Sequence, residues 1–234
     1  MTTKNNIVFV FDLDDTLYKE IDFLKSAYQE ISSYISQNSG FAEDIVYEKM
    51  ITSYYSGDNP FQSVLDFVQS QDITISTLLN IYRNHEPNIT LSESNQDVLA
   101  YLKANVYKIG LITDGRSVQQ RNKLKALGLT EYFDEIIISE EFGSEKPNVK
   151  NFNFYLDKYG KNYTYIYIGD NTKKDFIAPN ALKWVSVCLT DNGENIHKQT
   201  FDLEEKLKPL FVINSLRQIP EILKKLNNFN ELSL

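Results

Sequence analysis

The sequence predicts a doubly wound α/β fold with a mostly parallel sheet and an inserted helical lobe. Three features carry that prediction. Short apolar runs rich in β-branched and aromatic residues recur without alternating polar positions, as expected of parallel strands covered on both faces. Amphipathic segments of helical period separate most of these runs. From Tyr18 to about Leu91, by contrast, no strand pattern occurs.

The first strand is Ile7–Phe11, followed at once by the carboxylates of FDLDDTLY. In the next stretch Ile21, Leu24, Tyr28, Ile31 and Ile35 keep helical spacing, and further helical patterns cover Ile45–Tyr55, Phe61–Val68 and Thr74–Arg83. SGDNP (Ser56–Pro60) reads as a turn between two of them. These helices outnumber what one crossover needs, so the segment reads as a lobe that leaves the sheet after the first strand and returns before the second, the alternative being helices that simply cover the sheet. Later strands are expected at Tyr107–Thr113, Glu135–Ser139, Tyr165–Gly169, Trp184–Leu189 and Phe211–Ile213. Val118, Leu124 and Leu127 share a helix face, Ser117 with Gln120 reads as a capping box, and Gly128 is placed to end that helix.

Composition narrows the function. A chain of 234 residues with 42% hydrophobic and 24% charged residues buries enough surface to fold without disulfides or a structural metal. The net charge of -8 repels polyanions, so neither nucleic acid nor an acidic membrane surface is an expected partner. Cys188 is the single cysteine; it lies in the apolar run WVSVCL and reads as a small buried hydrophobe in a reducing compartment. MTTKNN runs straight into the first strand with no signal peptide, and no apolar run approaches the roughly 20 residues of a membrane span. A cytoplasmic protein is expected.

Ligands of a parallel α/β sheet bind beyond the carboxyl ends of its strands. Asp12 and Asp14 lie at that end of the first strand, and Asp170 and Asp175 follow YIYIG. Two unit charges about 4 Å apart repel by about 4 kcal/mol at an effective dielectric near 20. Acids that converge there require a cation, and an all-oxygen set favours a hard divalent ion such as Mg²⁺. LITDGRS puts Thr113 at the end of the second strand, before a Gly turn and a helix start whose free amides favour an anion. SEKPN places Lys146 shortly after the third strand. A hydroxyl, exposed amides, an ammonium and a metal together form a phosphate site.

These residues resemble the haloacid dehalogenase-like (HAD) hydrolase superfamily. FDLDDTLY resembles its first motif, ITDG its second, the lysine of SEKPN its third and GDNTKKDF its fourth; they occur in family order between Phe11 and Phe176. The insertion resembles a C1-type helical cap, and FDLDDTLY with EEFGSEKP is most similar to small-molecule phosphatases, nucleotidase-like members included. The resemblance implies a Rossmann-like catalytic core formed by 1–17 and 92–234, with 18–91 as a cap that closes over the substrate. It implies a cytoplasmic Mg²⁺-dependent phosphatase acting on a small phosphorylated metabolite through an aspartyl-phosphate. Asp12 is then the nucleophile and Asp14 the acid and base. Thr113 and the amides near Asp114 hold phosphoryl oxygens, and Lys146 neutralises them. Asp12, the backbone carbonyl of Asp14 and Asp170 hold Mg²⁺, with Asp175 supporting it. Asp14 argues against a dehalogenase or phosphonatase, which lack an acid there. A sugar phosphomutase on the same core, or a non-catalytic module that binds a phosphorylated ligand, remain alternatives. Asp15 is expected to cap the turn or face solvent, Arg116 to lie at the surface, His85 and His197 to be structural or solvated, and the tyrosines of the lobe to serve packing.

Overall fold

The computed structural model describes residues 4–231. Its elements run β1 (Asn5–Phe11), α1 (Glu20–Ser39), α2 (Glu43–Ser56), α3 (Pro60–Val68), α4 (Ile75–Asn84), α5 (Glu93–Asn105), β2 (Val106–Thr113), α6 (Ser117–Ala126), β3 (Glu135–Ile138) and α7 (Ser139–Phe142). They continue with α8 (Val149–Tyr159), β4 (Thr164–Gly169), α9 (Ile177–Ala181), β5 (Val185–Leu189), β6 (Phe211–Ile213) and α10 (Ile219–Glu231). Every strand expected from the sequence is present, with ends moved by a residue or two. Ser139, for example, opens α7 instead of closing β3.

Among the described residues the strands form one six-stranded sheet in the order β3-β2-β1-β4-β5-β6, and every pairing is parallel. The order reverses between β1 and β4, so the loops after those two strands flank a switch point, where α/β sheets bind ligands. Register places Phe11 opposite Ile168, and the Asp12 amide donates to the Ile168 carbonyl at 2.9 Å. The residues that follow β1 and β4 therefore leave the sheet side by side.

The chain divides into two compact units. One comprises the described residues up to Lys19, Thr90–Ser117 and the described residues from Gly128 onward; the other comprises Glu20–Ile89 and Val118–Leu127. In the first, one face of the sheet is filled by Val8, Val10, Ile112 and Tyr167 packed with Phe152 and Tyr155 of α8, Ala178 of α9 and Trp184. Each such buried large side chain contributes about 1.5–3 kcal/mol. Tyr155 is fully buried, and its hydroxyl donates to the carbonyls of Leu111 and Glu135. α5 lies beside β2, with Val98, Leu99 and Leu102 buried.

In the second unit α1 buries the expected stripe of Ile21, Leu24, Tyr28, Ile31 and Ile35, and with it Phe23 and Ala27. Gly57 ends α2 in the left-handed region at φ 79, where the missing Cβ removes the steric cost. Asn59 caps α3 by accepting from the amides of Phe61 and Gln62, and Pro60 occupies its first position. Phe23, Tyr28, Phe61 and Tyr82 meet at centroid distances between 5.5 and 6.4 Å, so these aromatics serve packing, as expected.

α6 differs from its reading in the sequence. Val118 is exposed, whereas Leu124 and, just past the helix, Leu127 are buried as expected, joined by Gln120 and Lys123. Lys123 explains the difference. Its ammonium lies 3.7 Å from Glu20 Oε1 and 4.4 Å from the ring centroid of Phe23. A lysine counted as polar thus covers an aromatic face with its stem and head. Asn122 donates to the carbonyls of Asn84 and His85 in the same unit. The acceptors that meet Ser117 come from α7: its amide donates to Glu140 and its hydroxyl to Glu141. Gly128 follows the helix at φ 69, as its placement predicted.

Candidate active site

β1 delivers Asp12 to the end of the sheet as a buried residue, and the turn that follows immediately satisfies one of its oxygens. The Leu13 amide donates to Asp12 Oδ1 at 2.9 Å. The Lys146 ammonium reaches the same oxygen at 2.8 Å and lies 3.0 Å from Asp175 Oδ1. It also donates to the hydroxyl of Tyr167 at 3.0 Å. Asp175 is placed by the turn after β4: the Asn171 amide donates to its Oδ2, and its own amide donates to the Asn171 carbonyl. Asp170 follows β4 directly and is buried.

One ligand oxygen from each of Asp12, Asp170 and Asp175 lies within 4.8 Å of the others. Among the described residues, the Lys146 ammonium faces Asp12 and Asp175 of this group, so three ionised carboxylates would carry more negative charge than it balances. Burial, with Asp175 and Asp14 nearby, pushes Asp12 up to about 7 against the opposing pull of Lys146. Burial first, then Asp12 and Asp175, push Asp170 up to about 9. Burial opposes the charge on Lys146, yet Asp12 and Asp175 more than offset it and hold that group well above the usual lysine range. Asp175 Oδ1 is buried and makes no hydrogen bond, although it faces Lys146. An all-oxygen cluster in which three buried carboxylates share one site fits a hard divalent ion.

The second motif is braced from its side chain. Asp114 accepts from the Lys146 amide at 3.0 Å and from the Lys174 ammonium at 2.7 Å. Thr113 ends β2 fully buried. The amides after it depart from expectation. Gly115 N–H donates to Ser139 Oγ and Ser117 N–H to Glu140, so the start of α6 already carries an internal anion. Those two amides are committed within the fold, and the carboxylate of Asp114 is turned to Lys146 and Lys174.

Residues 9–187 match the family model for haloacid dehalogenase-like hydrolases. The chain belongs to the haloacid dehalogenase-like hydrolase family. It is 31% identical to the glyceraldehyde 3-phosphate phosphatase of Methanocaldococcus jannaschii over 93% of this chain and 96% of that protein. It is 32% identical to the pyrimidine 5'-nucleotidase YjjG of Escherichia coli over half of each chain, 50% and 50%. The fold is that of the HAD-hydrolase YfnB of Bacillus subtilis, solved bound to magnesium, with a TM-score of 0.62 and 18% identity over 94% of this chain and 99% of that one.

In this haloacid dehalogenase-like hydrolase the structure brings together Asp12, Lys146, Asp170 and Asp175, and ties Asp114 to Lys146. The Asp14 carboxylate lies outside the three-carboxylate group and accepts from the Tyr18 hydroxyl at 2.5 Å. Asp15, expected at the solvent or as a cap, is buried at φ 54 and accepts from the Ile196 amide at 2.9 Å. The sequence reading also missed Tyr167, Lys174 and Asn195, whose side-chain amide donates to Asp170 Oδ2 at 2.9 Å. Tyr167 carried a signal, because a buried phenol requires a partner. Asn195, in a polar loop, carried none. Arg116 is exposed and pairs with Glu140, His197 is exposed, and burial pushes the Cys188 thiol up to about 12, all in accord with their bland readings.

Proposed function

We propose that this hydrolase is a Mg²⁺-dependent phosphatase that cleaves a small phosphorylated metabolite through an aspartyl-phosphate. The observation that carries the reading is the environment of Asp12. Both donors to this buried carboxylate fall on Oδ1, which leaves Oδ2 as the attacking oxygen. Asp12 forms the bond to phosphorus as the bond to the leaving oxygen breaks, and Asp14 gives that oxygen a proton. Asp14 then takes a proton from the water that attacks the acyl phosphate, which releases phosphate and restores Asp12. Lys146 and the Thr113–Asp114 segment hold phosphoryl oxygens. Asp12, the Asp14 carbonyl, Asp170 and Asp175 are the residues that hold Mg²⁺. When bound, the ion supplies charge that lowers the repulsion between an anionic nucleophile and an anionic phosphate.

In the same reading 1–17 and 92–234 form the catalytic core, and 18–91 form the cap that selects the substrate. The names of the relatives support phosphate-ester chemistry, and the YfnB complex supports magnesium. A reducing cytoplasm suits the single buried thiol. No helix among the described residues is long and apolar enough to cross a membrane. The test is phosphate release from p-nitrophenyl phosphate and from a panel that includes glyceraldehyde 3-phosphate and pyrimidine nucleoside monophosphates, with Mg²⁺ or EDTA. Turnover that requires Mg²⁺ and disappears in Asp12→Asn is expected. Full activity in Asp12→Asn, or no Mg²⁺-dependent turnover on any compound, refutes the reading.

A further inference from the structure

We infer that Asn195 is a positioning residue that fixes the Asp170 carboxylate for its cation, an inference that rests on the metal-dependent reading above. Asn195 Nδ2 donates to Asp170 Oδ2 at 2.9 Å, and Asn195 Oδ1 accepts from the Lys19 ammonium at 2.5 Å. An ammonium can only donate, so Lys19 fixes which end of the amide faces Asp170. The amide thereby presents a neutral donor to a carboxylate in a cluster already rich in charge. One Asp170 oxygen is engaged, the plane of the carboxylate is set, and the other oxygen is left as a ligand atom.

The loop that carries Asn195 is built to hold it. Asp191 Oδ1 accepts from the amides of Gly193, Glu194 and Asn195 at 2.7, 3.0 and 2.9 Å. The Ile196 amide is anchored on buried Asp15. Gln199 Nε2 donates to the carbonyls of Asp170 and Leu189, and its Oε1 accepts from the Asp191 amide. Side chain and main chain of Asp170 are thus both gripped from the loop after β5. A bond of this kind orients a ligand without touching the metal.

Calorimetric titration of Mg²⁺ into the intact protein tests the inference, alongside the Mg²⁺ dependence of p-nitrophenyl phosphate hydrolysis. Asn195→Ala is expected to weaken Mg²⁺ binding about 10–100-fold, the range typical for loss of a ligand-orienting partner. Asn195→Ser, which suits a turn but is too short to reach Asp170, is expected to do the same. In both, kcat recovers as Mg²⁺ is raised, and KM for p-nitrophenyl phosphate at saturating Mg²⁺ stays at the wild-type value. Asn192→Ala, an exposed change in the same loop, is expected to bind Mg²⁺ as the wild type does. Wild-type affinity in a folded Asn195 variant, or an equal loss in Asn192→Ala, overturns the inference. If the wild type binds no Mg²⁺, the metal-dependent reading falls and this inference falls with it. If it binds Mg²⁺ but turns over no phosphoester, the phosphatase reading falls, and calorimetry on the variants still decides the role of Asn195.

Discussion

Gly169 closes β4 immediately before Asp170, and a side chain at that position has nowhere to go. A Cβ built there lies 2.4 Å from Asp175 Oδ2 and 2.9 Å from its Cγ, closer than the 3.0 Å that real Cβ contacts essentially never breach. In Gly169→Ala the carboxylate must therefore move, yet it is held on both sides. Oδ2 accepts from the Asn171 amide at 2.9 Å, and Oδ1 faces Lys146 at 3.0 Å. Overpacking of this kind costs about 1–3 kcal/mol. At roughly 2–4 °C per kcal/mol for a chain of this size, Tm in EDTA is expected to fall by roughly 2–12 °C. Because the displaced group is a candidate ligand, Mg²⁺ affinity is expected to fall as well. Thermal unfolding followed by circular dichroism, with calorimetric Mg²⁺ titration, measures both. Gly110→Ala is the companion: its Cβ would lie 2.3 Å from the Tyr155 ring, within the core and away from every candidate ligand. It is expected to destabilise without changing the Mg²⁺ affinity of the folded protein. A Gly169→Ala protein with wild-type Tm and wild-type Mg²⁺ binding refutes the claim that this close approach sets Asp175.

Three further outcomes are expected. Lys146→Met removes an ammonium that faces both Asp12 and Asp175, so urea unfolding in EDTA at neutral pH should show a loss of about 3–5 kcal/mol, partly recovered with Mg²⁺. A loss under about 1 kcal/mol counts against that balance of charge. Burial is the main cause that holds His85 below its usual pKa, with the positive charge of Lys123 adding to it and the Tyr82 carbonyl and Glu30 opposing. The folded state therefore favours neutral His85, and this contribution to stability is lost as pH falls from the unfolded value near 6.5 toward the lower folded one. Relative to His85→Asn, the wild type should lose stability across that window, by at most about 1.4 kcal/mol per pH unit, in urea titrations at pH 7.5 and 5.5. Asn59→Ala deletes the acceptor for the amides of Phe61 and Gln62 and should cost about 1 kcal/mol, read as a lower urea midpoint.

What the sequence disclosed follows from how each feature is encoded. The strands are local: IVFVF and YIYIG have one sensible environment, and the structure gives it to them. Asp12 and Asp170 were legible because they follow those strands at once, so that placing the strands places these acids, and Asp175 lies in the short turn after β4. The helix after the second motif was harder to read, because Lys123 is buried against Phe23 and Glu20, and no local pattern marks a lysine for burial. Its amides were misjudged for a related reason. Their acceptors, Ser139 and Glu140, belong to the next strand–helix junction and meet Gly115 and Ser117 only after the sheet has formed. Asn195 lies 25 positions from Asp170 in a polar loop, where an asparagine is the ordinary residue. Polar contacts across such distances are fixed by topology, and the sequence shows their partners separately but not their meeting.

The acidic turn after β1 has a physical account. Asp12, Asp14 and Asp15 fall within four positions, an arrangement that repulsion would disfavour if all three faced one cavity. Each has a donor of its own. Asp12 accepts from Leu13 and Lys146, Asp14 from Tyr18, and Asp15 from Ile196 in the loop after β5. The left-handed backbone at Asp15, which aspartate tolerates better than most residues, helps to send neighbouring carboxylates along separate paths. Asp15 anchors Ile196 while the adjacent Asn195 grips Asp170, so acids that follow two neighbouring strands are joined through one loop. A short acidic turn thus supplies the candidate nucleophile, the candidate acid and a structural anchor, each held by its own donor.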